Sequence, residues 1–238
     1  NNPGTYKFSR GTTLSEAIKK SGGYDGSAYP FGGYLENQKA LEINEISKDR
    51  LYDKFLTNLI MNSGATSSMQ DSGVMEILIQ IKNSESTGRV IAEFDLDIIS
   101  SDPSKDTILE DGDKIYIPQL TQQVFIQGEV SNSGAIRYAP GKDIDYYINK
   151  SGGALLTADL DNIFIVHPNG ETENFANKSR LSFILDENSK ELVYPGSIIY
   201  IPQKSNFANS LQLASIWAPI ISSIALSLTS LSVLNNSN

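Results

Sequence analysis

The feature that most constrains this chain is that it repeats itself. Pro3-Gly-Thr-Tyr-Lys-Phe-Ser-Arg-Gly-Thr-Thr-Leu-Ser-Glu-Ala-Ile-Lys-Lys-Ser-Gly-Gly23 aligns without gaps on Ser133-Gly-Ala-Ile-Arg-Tyr-Ala-Pro-Gly-Lys-Asp-Ile-Asp-Tyr-Tyr-Ile-Asn-Lys-Ser-Gly-Gly153. Gly4/Gly134, Gly11/Gly141, Ile18/Ile148 and the two Lys-Ser-Gly-Gly blocks coincide. A second pair of blocks, Asp111–Gln119 and Pro195–Gln203, follows in the same order. Two matched blocks in one order mean a duplicated unit, so the chain builds one small fold twice.

Both copies read alike. Alternating apolar residues (Tyr6 and Phe8; Ile136 and Tyr138) predict a half-buried strand. A glycine turn then leads into a short helix. Thr13 and Glu16 have capping-box spacing, and Asp143 is the matching N-cap. Leu14, Ala17 and Ile18, like Ile144, Tyr147 and Ile148, recur at helical spacing and form one apolar face. Ser-Gly-Gly ends each helix, because glycine enters the left-handed region without a Cβ clash. A strand (115–117; 198–201) closes each copy at Pro118 or Pro202. The expectation is an α+β chain of two tandem β-grasp-like units, a small sheet wrapped on one helix in each.

The division expected is 1–120, 121–204 and a tail 205–238. The second copy opens with a leading strand, Gln123–Val130, that has no counterpart before Asn1. The expectation follows that the natural protein extends further toward its N-terminus; Asn1-Asn2-Pro3-Gly4 is neither basic nor apolar and is not a signal peptide. The first copy holds an insertion at about 36–84. It contains a helical pattern from about Glu36 to Asn62, with Leu51, Tyr52, Phe55, Leu56, Leu59 and Ile60 on one face. Residues 74–83 fit a helix or an alternating strand, and helix is preferred. A helix projecting from a small sheet is a natural surface for neighbouring subunits.

Composition narrows function. The formal net charge of −9 repels phosphate backbones and anionic headgroups, which argues against nucleic-acid partners. There is no cysteine and a single histidine, His167, so thiolate metal sites and a Ser-His-Asp constellation have almost no material. His167 precedes Pro-Asn-Gly and reads as an exposed turn residue. Asp95/Asp97 and Asp111/Asp113 are carboxylate pairs, but turn roles suit them better, and the second copy has Pro195 and Ser197 where the first has Asp111 and Asp113. No phosphate-binding glycine loop occurs. No catalytic residue, cofactor or metal is expected. Tyr24, Tyr29, Phe31 and Tyr34 can stack on sugar rings, although packing or subunit contact is the stronger reading.

The tail has no charged side chain after Lys204. Leu211–Leu234 as a helix spans roughly 36 Å, enough for a bilayer core of about 30 Å. Its faces differ. Ser215, Ser222, Ser223, Ser227, Thr229 and Ser230 gather on one side. Leu213, Trp217, Ile220, Ile221, Ile224, Leu228 and Leu231 take the other. A core helix and an inner-membrane tail anchor are alternatives, but the first would carry outward charges and the second would be apolar all round. One stave of a water-filled helical barrel accounts for both faces, with Pro219 and Trp217 marking the point where the helix enters the membrane.

Taken together, the Lys-Ser-Gly-Gly…Gly-Asp-Lys-Ile-Tyr-Ile-Pro unit resembles the SLBB (soluble-ligand-binding β-grasp) domain. Ala28-Tyr-Pro-Phe-Gly-Gly-Tyr-Leu35, Thr87-Gly-Arg-Val90 and the tail from Leu213 resemble the outer-membrane polysaccharide export family of the Wza and KpsD kind. The resemblance implies a ring-shaped homo-oligomer in the periplasm and outer membrane of a Gram-negative bacterium. Its partners would be the exported capsule polysaccharide or exopolysaccharide, outer-membrane lipid, and an inner-membrane co-polymerase or export transporter. Ser215, Ser222, Ser223, Ser227 and Ser230 would line the pore, with Trp217, Ile221, Ile224, Leu228 and Leu231 facing lipid. The alternative is a periplasmic, membrane-tethered carbohydrate-binding module using Tyr24, Tyr29, Phe31 and Tyr34.

Overall fold

A computed structural model describes residues 2–62, 79, 82–83, 86–174 and 193–204. It is mixed α+β. In the second repeat β4 (Gln123–Gly128) turns into β5 (Gly134–Arg137), α4 (Ile144–Lys150) follows, and β6 (Phe164–Val166), β7 (Thr172–Asn174) and β8 (Ile198–Ile201) complete one sheet of order β5-β4-β8-β6-β7. β4 and β8 run parallel; every other pair is antiparallel. Parallel neighbours need a long crossover, and α4 lies within it.

The core of this repeat follows from strand alternation. Val124 and Ile126 of β4, Ile165 of β6, and Ile199 and Ile201 of β8 are almost wholly buried. They cluster with Ile144, Tyr147 and Ile148 of α4. Phe164 and Val166, on the other face of β6, are as deeply buried. Tyr147 is fully enclosed, and its hydroxyl donates to Ala139 O and accepts from Ala139 N, so the polar end is satisfied where the ring is buried.

The first repeat holds α1 (Leu14–Lys20), β1 (Tyr34–Glu36), β2 (Arg89–Val90) and β3 (Lys114–Tyr116), with sheet order β2-β1-β3. These strands correspond to β7, β6 and β8 of the second repeat. Its buried cluster is smaller: Leu14, Ile18 and Phe94, flanked by Tyr24, Leu109 and Ile115. The strand expected at Tyr6 and Phe8 is not formed. Their rings stack on each other at 6.0 Å, but no counterpart of β4 lies alongside among the described residues, and a strand exists only by pairing.

Local signals were obeyed closely. Thr13 and Glu16 form the full capping box, and Asp143 accepts from Tyr146 N. Both helices end in the same way: Gly22 N and Gly23 N donate to Lys19 O and Ile18 O, and Gly152 N and Gly153 N to Asn149 O and Ile148 O. This paired closure needs a positive φ, found at Gly22 (100°) and Gly152 (89°).

The insertion helix α2 (Gln38–Asn62) starts two residues later than expected, because Glu36 completes β1. Asn37 Oδ1 then accepts from Lys39 N and Ala40 N as the cap. Much of the helix is exposed, including Ile43 and Ile46. On its expected apolar face, Tyr52 and Leu56 are half-buried. α3 (Leu96–Ser101) is short. Residues 79, 82 and 83 are helical. The rest of the 74–83 stretch and the whole tail 205–238, with every expected pore-lining and lipid-facing residue, lie outside the described residues. Among the described residues no helix is long and apolar enough to cross a membrane.

Candidate functional site at the junction of the two repeats

The aromatic segment Tyr24–Tyr34 is drawn into the protein. Tyr24 donates its hydroxyl to Phe94 O and packs on the first core. Burial, with Asp95 and Glu93 nearby, pushes its phenol well above the ordinary range. Tyr29 is half-buried beside Phe31, and burial raises its phenol too. Tyr34 lies 5.0 Å from Tyr116 and beneath the Arg89 guanidinium at 4.1 Å.

Phe31 crosses to the second repeat. Its ring sits 4.5 Å from Tyr194 and 6.4 Å from His167. The 3₁₀ turn Pro30–Gly32 aims it there. The following Gly33 is required by contact, since a Cβ at that position would fall 2.5 Å from the Phe94 ring. Arg89 of β2 makes the same crossing: Nη2 donates to Pro168 O at 2.7 Å, while the buried Nε has no hydrogen-bond partner among the described residues. Burial pulls the guanidinium below its usual range, opposed by Tyr34 and Glu36.

His167 overturns its expected exposure. It does begin the β6–β7 turn, with its N–H bonded to Glu171 O and its carbonyl accepting from Gly170 N. Yet it is only 5% exposed, because Tyr194 and Phe31 close over the ring. Nδ1 lies 3.5 Å from Ser197 Oγ and Nε2 lies 3.5 Å from Glu173 Oε1. Burial lowers its pKa from 6.5 more strongly than Glu173 and Glu171 raise it, so the ring is neutral at neutral pH. Sequence spacing could show the turn but not the cover, part of which comes from the other repeat.

A cleft of about 360 Å³ opens beside this junction, between Phe31, Ile91, Glu93 and Lys105 of the first repeat and Asn169 and Glu171 of the second. Of the four expected glycan-contact aromatics, only Phe31 borders it. The carboxylate pairs are structural. Asp95 caps α3 by accepting from Asp97 N and Ile98 N. Asp113 accepts from Glu110 N and from Asn37 Nδ2. Among the described residues no group of carboxylates and histidine is arranged to hold a metal.

The SLBB domain family matches residues 1–35 and 123–176, one stretch in each repeat. These two stretches are similar to the SLBB domain. Two Escherichia coli sequences of the polysialic acid transport protein KpsD are 28% identical to it over 116 residues, covering 46% of this chain. The match spans 21% of the length of those relatives. The expected resemblance to the SLBB domain and to proteins of the KpsD kind thus agrees with both comparisons. The two repeats meet through Phe31, Arg89, His167 and Tyr194, so the junction is chiefly a structural joint with a polar cleft at its side.

Proposed function

We propose that this chain is a subunit of an outer-membrane polysaccharide export channel. The observation that carries the reading is the conjunction of duplicated SLBB repeats related to a polysaccharide transport protein with a charge-free tail of two-faced pattern. Two β-grasp-like domains, 1–120 and 121–204, stack as rings in the periplasm. The tail, 205–238, supplies one helix to a barrel in the outer membrane, with Ser215, Ser222, Ser223, Ser227 and Ser230 toward water and Trp217, Ile221, Ile224, Leu228 and Leu231 toward lipid. The role is passage, with energy supplied by an inner-membrane transporter or co-polymerase. The carbohydrate-binding alternative has less support, because Tyr24, Tyr29 and Tyr34 are committed to internal packing.

The test is the mass of the chain purified in mild detergent, by light scattering. A closed ring of several copies is expected; a stable monomer across the accessible concentration range would sink the channel reading.

A further inference from the structure

One loop occurs twice in the protein with the same backbone and opposite chemistry. In the first repeat Ala28 bridges Gln119, Tyr29 N donates to Pro118 O, and Leu120 N donates to Ser27 O. In the second, Ala158 bridges Gln203, Asp159 N donates to Pro202 O, and Lys204 N donates to Thr157 O. The repeat alignment sets Asp25, Gly26 and Pro30 opposite Leu155, Leu156 and Leu160. A polar tip has become a leucine tip with the shared backbone bonds kept and only the Asp25 side-chain bonds to Ser27 lost, so the fold does not need the leucines.

Nor does the fold bury them. Leu156 is 99% exposed, Leu160 51% and Leu155 45%. Three protruding leucines on one short loop are apolar surface that a water-facing tip would shed. The difference between the copies follows what comes next along the chain. After Leu120 the backbone passes into β4, a strand of the second repeat. After Lys204 it passes into a tail with no charged side chain. Lys204 itself is bonded to the leucine loop at 2.7 Å.

We infer that Leu155, Leu156 and Leu160 form a lipid-contacting tip that seats the second repeat on the membrane surface where the tail enters it. The inference rests on the tail's membrane role proposed above. Seven residues at full extension reach about 25 Å, so the loop stays near the surface at which Leu211 begins the apolar run. Glu129, Asp159 and Asp161 surround the tip, and Thr157 Oγ1 donates to Glu129. Acidic neighbours select neutral or zwitterionic headgroups over anionic ones, with affinity supplied by buried apolar area.

The composition makes the test clean, since there is no cysteine and one tryptophan, Trp217. Full-length Leu156→Cys and, as the control, Gly26→Cys would be labelled with an environment-sensitive dye and mixed with phosphatidylcholine vesicles. Trp217 emission reports tail insertion independently. The expected result is a blue shift of the dye at 156 and of Trp217, with none at 26. The pair Leu155→Asp, Leu156→Gly, which copies the first repeat's tip, should lower the fraction of chain that floats with vesicles while leaving the fold intact. A Trp217 shift without a shift at 156 overturns the lipid tip and leaves the channel reading standing. No shift at either site overturns both. A shift at 156 that appears without vesicles and grows with protein concentration assigns the leucines to a second copy and also overturns the inference.

Discussion

The two repeats share a short capped helix and its glycine stop, yet they are unequal bodies. The second has a five-stranded sheet, with twelve described residues in one buried cluster. The first has three strands and three such residues. Each helix has a side-chain N-cap and the same glycine closure, so the inequality lies chiefly in the pairing and burial that surround it. In the second repeat β4 and β5 extend the sheet past β8; in the first nothing described extends it past β3. Helix signals are therefore enough to place a helix, and the surrounding sheet decides how much core it covers.

That comparison breaks most readily at Tyr147. Tyr147→Ala should cost about 3–5 kcal/mol, as for other buried aromatics, because its fully enclosed ring is held at both ends. Leu14→Ala in the first repeat should cost less, since a three-residue cluster is freer to collapse around the gap. Urea unfolding followed by circular dichroism measures both, and equal losses would mean that the repeats are one cooperative core. A smaller effect, about 1–3 kcal/mol, is expected for Gly33→Ala, which drives a methyl group into Phe94 and misaims Phe31. Its signature is a loss at the junction: faster proteolysis between the repeats with the second repeat still folded.

The smallest effect is pH-dependent and confined to the second repeat. His167 has a folded pKa below its unfolded value near 6.5, so the unfolded chain binds the proton first as pH falls. Its contribution is complete above about pH 6.5 and declines below it toward the folded pKa. Melting curves of the wild type and of His167→Gln, compared between about pH 7.5 and 5.5, should show a shallower pH slope for the variant. Identical slopes would remove His167 from the account.

What could be read in the sequence was what neighbours along the chain decide. The Thr13–Glu16 box, the Asp143 cap, the Gly-Gly closures and the alternation of Val124 with Ile126 all appear as expected. Two readings failed for one physical reason: they depend on contacts from elsewhere. Tyr6 and Phe8 alternate like a strand, but alternation does not supply a partner. His167 lies in a turn, yet Phe31 of the other repeat helps to bury it. For Tyr24, Tyr29, Phe31 and Tyr34 packing was the stronger expectation, and all four make internal contacts. The α+β class was legible because the repeat states it twice.

The doubled loop has a consequence for inheritance. Its frame is made of backbone bonds, which no side-chain substitution at 25, 26, 155 or 156 deletes. Once the ancestral unit was copied, each tip could change its chemistry without endangering the scaffold beneath it. Duplication left one loop to remain a water-facing corner and released the other for a new task. The leucines at 155 and 156 mark where the two copies stopped being interchangeable.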